Sequence, residues 1–105
     1  MFVAYEESLR LIRYLGPLLR VVGPLDRGLA DQVRRAASSV VLNLSEGRGL
    51  RGRAQANHYR IAFGSAQEVG AGLDLIEAWG LCEVEPAAKP QLDRVRRLLW
   101  GLTHR

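Results

Sequence analysis

The stretch Tyr59–Gly80, YRIAFGSAQEVGAGLDLIEAWG, sets Tyr59, Ala62, Ala66, Val69, Leu73, Ile76 and Gly80 at steps of three and four residues without a break. That spacing draws one apolar stripe along a helix, the heptad-like seam by which helices pack on one another. Gly64, Gly70 and Gly72 lie within it, and each costs a helix about 1 kcal/mol relative to alanine. They predict a partner helix approaching closely at those points, so that packing offsets the weak propensity.

Three further amphipathic segments supply partners. Before this stretch, Leu29, Val33, Ala36, Ala37, Val40 and Leu44 recur at helical spacing after Asp26, whose side chain can accept from the free N–H groups of a helix start. This helix is expected to stop at Gly47, because Gly47, Gly49 and Gly52 follow too densely for a helix interior, leaving a loop over about 47–53. Earlier still, Tyr5, Leu9, Ile12, Leu15 and Leu19 form one face of a first helix, which the Gly23-Pro24 pair ends. Beyond the opening stretch, Leu81–Glu85 connect to a last helix from about Ala87, with Leu92, Val95, Leu99 and Leu102 on one side and Pro90 in its first turn. No alternating Val/Ile/Thr-rich run offers a strand. Short connections make antiparallel neighbours the simplest arrangement. The prediction is one all-α domain over residues 1–105, an antiparallel up-down-up-down four-helix bundle.

Composition narrows the function. With 48% hydrophobic and 25% charged residues the chain is of ordinary globular character. No apolar run approaches the roughly 20 residues of a membrane span, and the amino-terminal segment carries Glu6 and Glu7 where a signal peptide would be basic then apolar. A cytoplasmic location is expected. The lone Cys82 agrees with a reducing compartment; lacking a histidine partner and lying among Glu77, Glu83 and Glu85, it is read as inert. With only His58, His104 and Cys82 beside the carboxylates, and no HExxH or CxxC, neither a metal site nor a cofactor is expected. No acid, base and nucleophile are spaced to demand a catalytic account, so no catalytic residue is assigned.

Charge is the remaining signal. The net charge is +4, and fourteen of the fifteen basic residues are arginine. Residues 34–60 hold six arginines and one acid, whereas residues 61–89 hold five acids and one lysine. The loop Gly47-Arg48-Gly49-Leu50-Arg51-Gly52-Arg53 combines glycines, which let a backbone approach a phosphate, with three arginines just before a helix N-terminus. It lacks the GxxxxGK(S/T) of a nucleotide P-loop, and a solvated turn fits the composition equally well. Arg34, Arg35 and Arg60 could extend a basic face toward it, with His58 either a surface histidine or a phosphate contact. Arg94, Arg96, Arg97 and Arg105 form a second cluster, most simply the solvent side of the last helix. Ser38, Ser39, Asn43 and Ser45 interrupt the second helix; with Glu46 they either cap and bond locally or act across an interface.

Taken together, Arg34–Gly49, RRAASSVVLNLSEGRG, and Tyr59–Glu68, YRIAFGSAQE, resemble the two signature segments of a bacterial four-helix-bundle family, first named for members encoded in intervening sequences of the large-subunit ribosomal RNA gene. The matching positions are Arg35, Ala36, Ser39, Asn43, Glu46, Gly47 and Gly49, then Ile61, Ala62, Gly64, Ser65 and Glu68. The chain departs from the pattern with Val41 for a proline, Ser45 for an alanine, and Leu50-Arg51 at the second basic position. Of the matching set, Ser39, Asn43, Glu46, Gly47, Gly64, Ser65 and Glu68 are the expected structural or interface positions. The family resembles in fold the accessory protein of diversity-generating retroelements, a five-membered barrel associated with nucleic acid and a reverse transcriptase. The resemblance therefore implies a homopentamer and a non-enzymatic role linked to RNA or DNA. Two functions follow as expectations: an accessory factor binding nucleic-acid backbone through Arg34, Arg35, Arg48, Arg51, Arg53 and Arg60, or an assembly module presenting a helical surface to a protein such as a reverse transcriptase. The split between basic and acidic stretches makes a head-to-tail contact between copies plausible, and one that closes generates a ring.

Overall fold

A computed structural model describes residues 1–105, as four helices and no strand: α1 Val3–Val22, α2 Arg27–Arg48, α3 Gly52–Ala78 and α4 Ala88–Thr103. Each helix packs on two others, α1 on α2 and α4, and α3 on α2 and α4. Across α2 and α3, Ser39 meets Ser65, Asn43 meets His58 and Gly47 meets Tyr59. One helix therefore descends as the other rises. Phe63 with Trp100 and Glu77 with Lys89 show the same antiparallel sense for α3 and α4. The molecule measures 42 × 23 × 20 Å, with four helix ends at each pole.

The predicted stripes form one core. Leu11, Leu15, Val22, Val33, Val40, Leu44, Val69, Leu73, Ile76, Leu92, Val95 and Leu99 are all nearly inaccessible, and each contributes about 1.5–3 kcal/mol by leaving water. At the start of α2, Asp26 Oδ1 accepts from the Leu29 N–H at 3.0 Å, the cap expected of it. Pro90 lies in the first turn of α4, where its missing N–H has no carbonyl to serve.

Among the glycines of α3, the prediction of close approach holds at two positions. A Cβ at Gly72 would collide with Val33 of α2, and one at Gly70 would lie 2.7 Å from Arg96 Nη1 of α4. At Gly64 it fails, since nothing lies within 4 Å and the residue is exposed. Nor does Gly80 extend the seam. The helix ends at Ala78, and Gly80 turns the chain with φ +66°.

The connection expected over 47–53 is shorter than the glycine count implied. Helix α2 runs through Gly47 to Arg48, and α3 starts at Gly52. Gly47 is buried because Tyr59 packs where its side chain would be: a Cβ there would meet Tyr59 Cε1 at 2.7 Å and His58 Cβ at 3.2 Å. Gln55 completes the junction, its Nε2 donating to the Gly47 and Leu50 carbonyls at 3.1 and 2.9 Å. The Gly47 carbonyl also accepts from the Leu50 N–H at 3.0 Å, so Gln55 adds a second bond there and provides the Leu50 carbonyl with a donor.

On α4, Arg94 is exposed as expected, yet its Nε also reaches Glu7 Oε1 of α1 at 2.5 Å, while Gln91 Nε2 donates to the Glu7 carbonyl. The Arg94 hydrogen bond, with Arg10 close by, holds the Glu7 carboxyl below the usual carboxylate range against an opposing effect of burial. Arg96 is held by Asp93 and Gln67. Of the four, only Arg97 and Arg105 lack a carboxylate partner.

Candidate nucleic-acid interface

Antiparallel packing brings the α2–α3 turn to the pole that also holds the start of α1 and the end of α4. Phe2 lies 6.1 Å from Tyr59, centroid to centroid, and the Arg48 guanidinium lies over the Phe2 ring at 5.4 Å. Arg97 and Arg105 border a recess that Phe2 and Leu102 also line. Arg48, Arg51, Arg53, Arg60, Arg97 and Arg105 are thus gathered at one end of the bundle, all exposed and none paired with a carboxylate. Glu46 is the nearest acid in sequence to this turn, exposed and likewise without an ion pair. The N-terminus of α3 opens here with no side-chain cap, so its free N–H groups add to the positive potential.

Arg34 and Arg35 are not part of this end. They are exposed on α2 more than three turns before Arg48, a separation of roughly 20 Å at 1.5 Å per residue. The predicted basic face therefore divides into a polar cap of arginines and a separate pair on the flank.

The polar residues of α2 do both of the things open to them. Asn43 Nδ2 donates locally to the Ser39 carbonyl at 2.9 Å and to Ser39 Oγ at 3.1 Å. Across the seam, Ser65 Oγ donates to Ser39 Oγ at 2.8 Å, and His58 Nδ1 lies 2.9 Å from Asn43 Oδ1. Because that Asn43 oxygen can only accept, His58 carries its hydrogen on Nδ1. His58 is half-buried and fastened to α2. Nothing in its spacing distinguished this from a surface histidine. The two segments that resemble the family signatures therefore face each other. Ser39, Asn43 and Ser65 bind the helices together and Gly47 admits Tyr59, while Glu46, Gly64 and Glu68 stay exposed without an intramolecular partner.

No three of the histidine, cysteine, aspartate and glutamate side chains come together as a metal-binding group. No helix is long and apolar enough to cross a membrane. Cys82, within the α3–α4 connection, is half-buried and packed against the core.

These features define a small all-helical bundle whose longest helix pair is joined by a polar seam and whose turn end is arginine-rich. The chain belongs to the 23S rRNA-intervening sequence protein family, whose family model matches residues 20–101. Among solved structures it is similar to a protein with unknown function from the S23 ribosomal protein family of Bacteroides thetaiotaomicron. The TM-score is 0.87 at 18% identity, over 97% of this chain and 99% of that one. A comparison with curated proteins gives no match.

Proposed function

We propose that the chain is a non-enzymatic, oligomeric accessory protein that binds the backbone of RNA or DNA through its arginine-rich end. The observation that carries this reading is the gathering of Arg48, Arg51, Arg53, Arg60, Arg97 and Arg105, drawn from three helices, a turn and the residues after α4, without carboxylate partners. Arginine forks suit phosphate oxygens, and contacts to phosphate alone carry no base sequence. One copy has a net charge of only +4. Five copies arranged side by side would place five such ends on one rim, and the summed field would draw in a polyanion from a distance. Leu42 and Ile61, both exposed beside the α2–α3 seam, supply apolar surface for contacts between copies.

The test is a titration of structured RNA at about 50 and 200 mM salt, alongside sedimentation velocity. Affinity should fall on the order of a hundredfold across that range if about four phosphates are neutralised, and the protein should sediment as a closed oligomer. Absent or salt-insensitive binding would overturn the nucleic-acid reading, and a monomer at micromolar concentration would overturn the ring.

A second reading has its own observation. Trp79 and Leu75 are exposed at the opposite end, as a surface for a protein partner such as a reverse transcriptase would require. Capture of such a partner that survives nuclease treatment and the Arg51→Glu/Arg53→Glu change, but is lost in Trp79→Ala, would favour it.

A further inference from the structure

Resting on the nucleic-acid reading, we propose that Trp100 and Phe63 form a stacking subsite for an unpaired base, making single strands the preferred ligand of the arginine-rich end. Trp100 of α4 is 52% exposed, and Phe63 of α3 lies 6.1 Å from it, tilted by 57°. With Gln67, Arg96 and Arg97 they line an open recess of about 490 Å³. A tryptophan that far out of the core contributes little to folding. Its two-ring surface, edged by polar groups, matches what a base needs: a flat apolar face and hydrogen-bonding groups around the rim.

Two further observations point to a planar ligand with attached phosphates. First, a flat ring already lies on this tryptophan, because the His104 imidazole stacks on Trp100 at an interplanar angle of 21°. His104 is the C-cap of α4, its Nδ1 lying 2.9 Å from the Trp100 carbonyl and 2.7 Å from Thr103 Oγ1, so a base takes its place by breaking those side-chain contacts and turning one exposed ring, not by unwinding the helix. Second, the charges flanking the recess are complementary to phosphate. Arg97 borders it on α4, and Arg60 lies one turn before Phe63 on α3, both exposed and without carboxylate partners. Arg96, paired with Asp93 and bonded to Gln67, adds no free charge. The other tryptophan provides the contrast. Trp79, 72% exposed, sits at the far pole, where Glu83 and Glu85, exposed and without cationic partners, would repel a phosphate chain.

Because the two tryptophans lie at opposite poles, fluorescence can report on each end separately. The experiment titrates Trp79→Phe, which keeps Trp100 alone, and Trp100→Phe, which keeps Trp79 alone, with oligo(dT) and oligo(U) of about 15 nucleotides and with a duplex of equal length. Anisotropy of an end-labelled strand measures binding independently. Single strands are expected to quench Trp100 and leave Trp79 unchanged, and Trp100→Ala should weaken single-strand binding about tenfold while sparing the duplex, whose bases stay stacked inside. Trp100→Phe should retain most of the affinity. If anisotropy shows binding but Trp100 emission is unmoved and Trp100→Ala binds as well as wild type, the subsite is refuted and the backbone-binding reading survives. If no strand binds at low salt, both fall. If Trp100→Ala alters the sedimentation coefficient and not the affinity, the patch is a protein contact and the subsite is overturned.

Discussion

At both ends of the bundle, two helices begin and two end, yet the two ends treat charge in opposite ways. Where α2 and α4 start, carboxylates stand by: Asp26 caps α2, and although α4 has no side-chain cap of its own, Glu85 Oε1 accepts from the Ala87 N–H just before it. Where α1 and α3 start, neither helix has a side-chain cap; Glu6 stands in the first turn of α1, whereas α3 opens with no acid, between Arg51 and Arg53. The first end sets carboxylates beside its helix starts and leaves Glu83 facing solvent; the second leaves the start of α3 with arginines and positive potential for something outside the chain to satisfy. Helix termini alike in backbone chemistry thus become a closed end and an open one.

The contrast breaks if the open end can be reversed without consequence. Arg51→Glu with Arg53→Glu and Arg60→Glu should weaken single-strand binding by on the order of a hundredfold or more at about 50 mM salt. Glu83→Lys with Glu85→Lys, at the closed end, should leave it unchanged or slightly tighter; anisotropy measures both. Within the fold, the open end rests on the close fit of Gly47 to Tyr59. Gly47→Ala should destabilise by about 1–2 kcal/mol in urea unfolding, since overpacking against a buried ring outweighs the gain in helix propensity. Asn43→Ala, which removes two hydrogen bonds within α2 and the one from His58 across the α2–α3 seam, should cost about 1 kcal/mol, the half-buried site letting water repair part of the loss.

The smallest effects come from the two interhelical ion pairs. Glu7, held below its ordinary value of 4.5 chiefly by Arg94, stabilises the fold above that value, and its contribution is lost as pH falls through its folded-state value. Thermal unfolding should therefore show an acid limb that Glu7→Gln flattens. Near the closed end, Lys89 is raised above 10.5 chiefly by its hydrogen bond to Glu77, so its contribution is present below that pH and lost as the solution becomes more alkaline. This pair is exposed, and Glu77→Gln should barely move the midpoint at neutral pH.

Much of this frame was legible in the residues. Apolar stripes at 3.6-residue spacing, the Asp26 cap, the Gly23-Pro24 break and the placement of Pro90 all report local physics, and local physics is what a sequence displays. Gly47 was misread because two opposed reasons favour glycine: a flexible loop, or a helix that must admit a neighbouring ring. Only the position of Tyr59 on another helix separates them. Arg94 is exposed, as its place on α4 implied, but nothing in α4 records that Glu7, far away in the chain, presents a carboxylate to it. The Phe63–Trp100 recess was invisible until α3 and α4 were laid antiparallel. At the α2–α3 turn, composition named the arginines, but only packing showed that Arg97 and Arg105 join Arg48, Arg51, Arg53 and Arg60 while Arg34 and Arg35 stand apart.

The most direct test of this polarity is backbone amide NMR of the isotope-labelled protein during addition of oligo(dT). The account predicts shift changes in residues 48–63 and 96–105, with residues 79–86 unmoved. Changes centred on 79–86, or spread along α1 and the first half of α2, would contradict it.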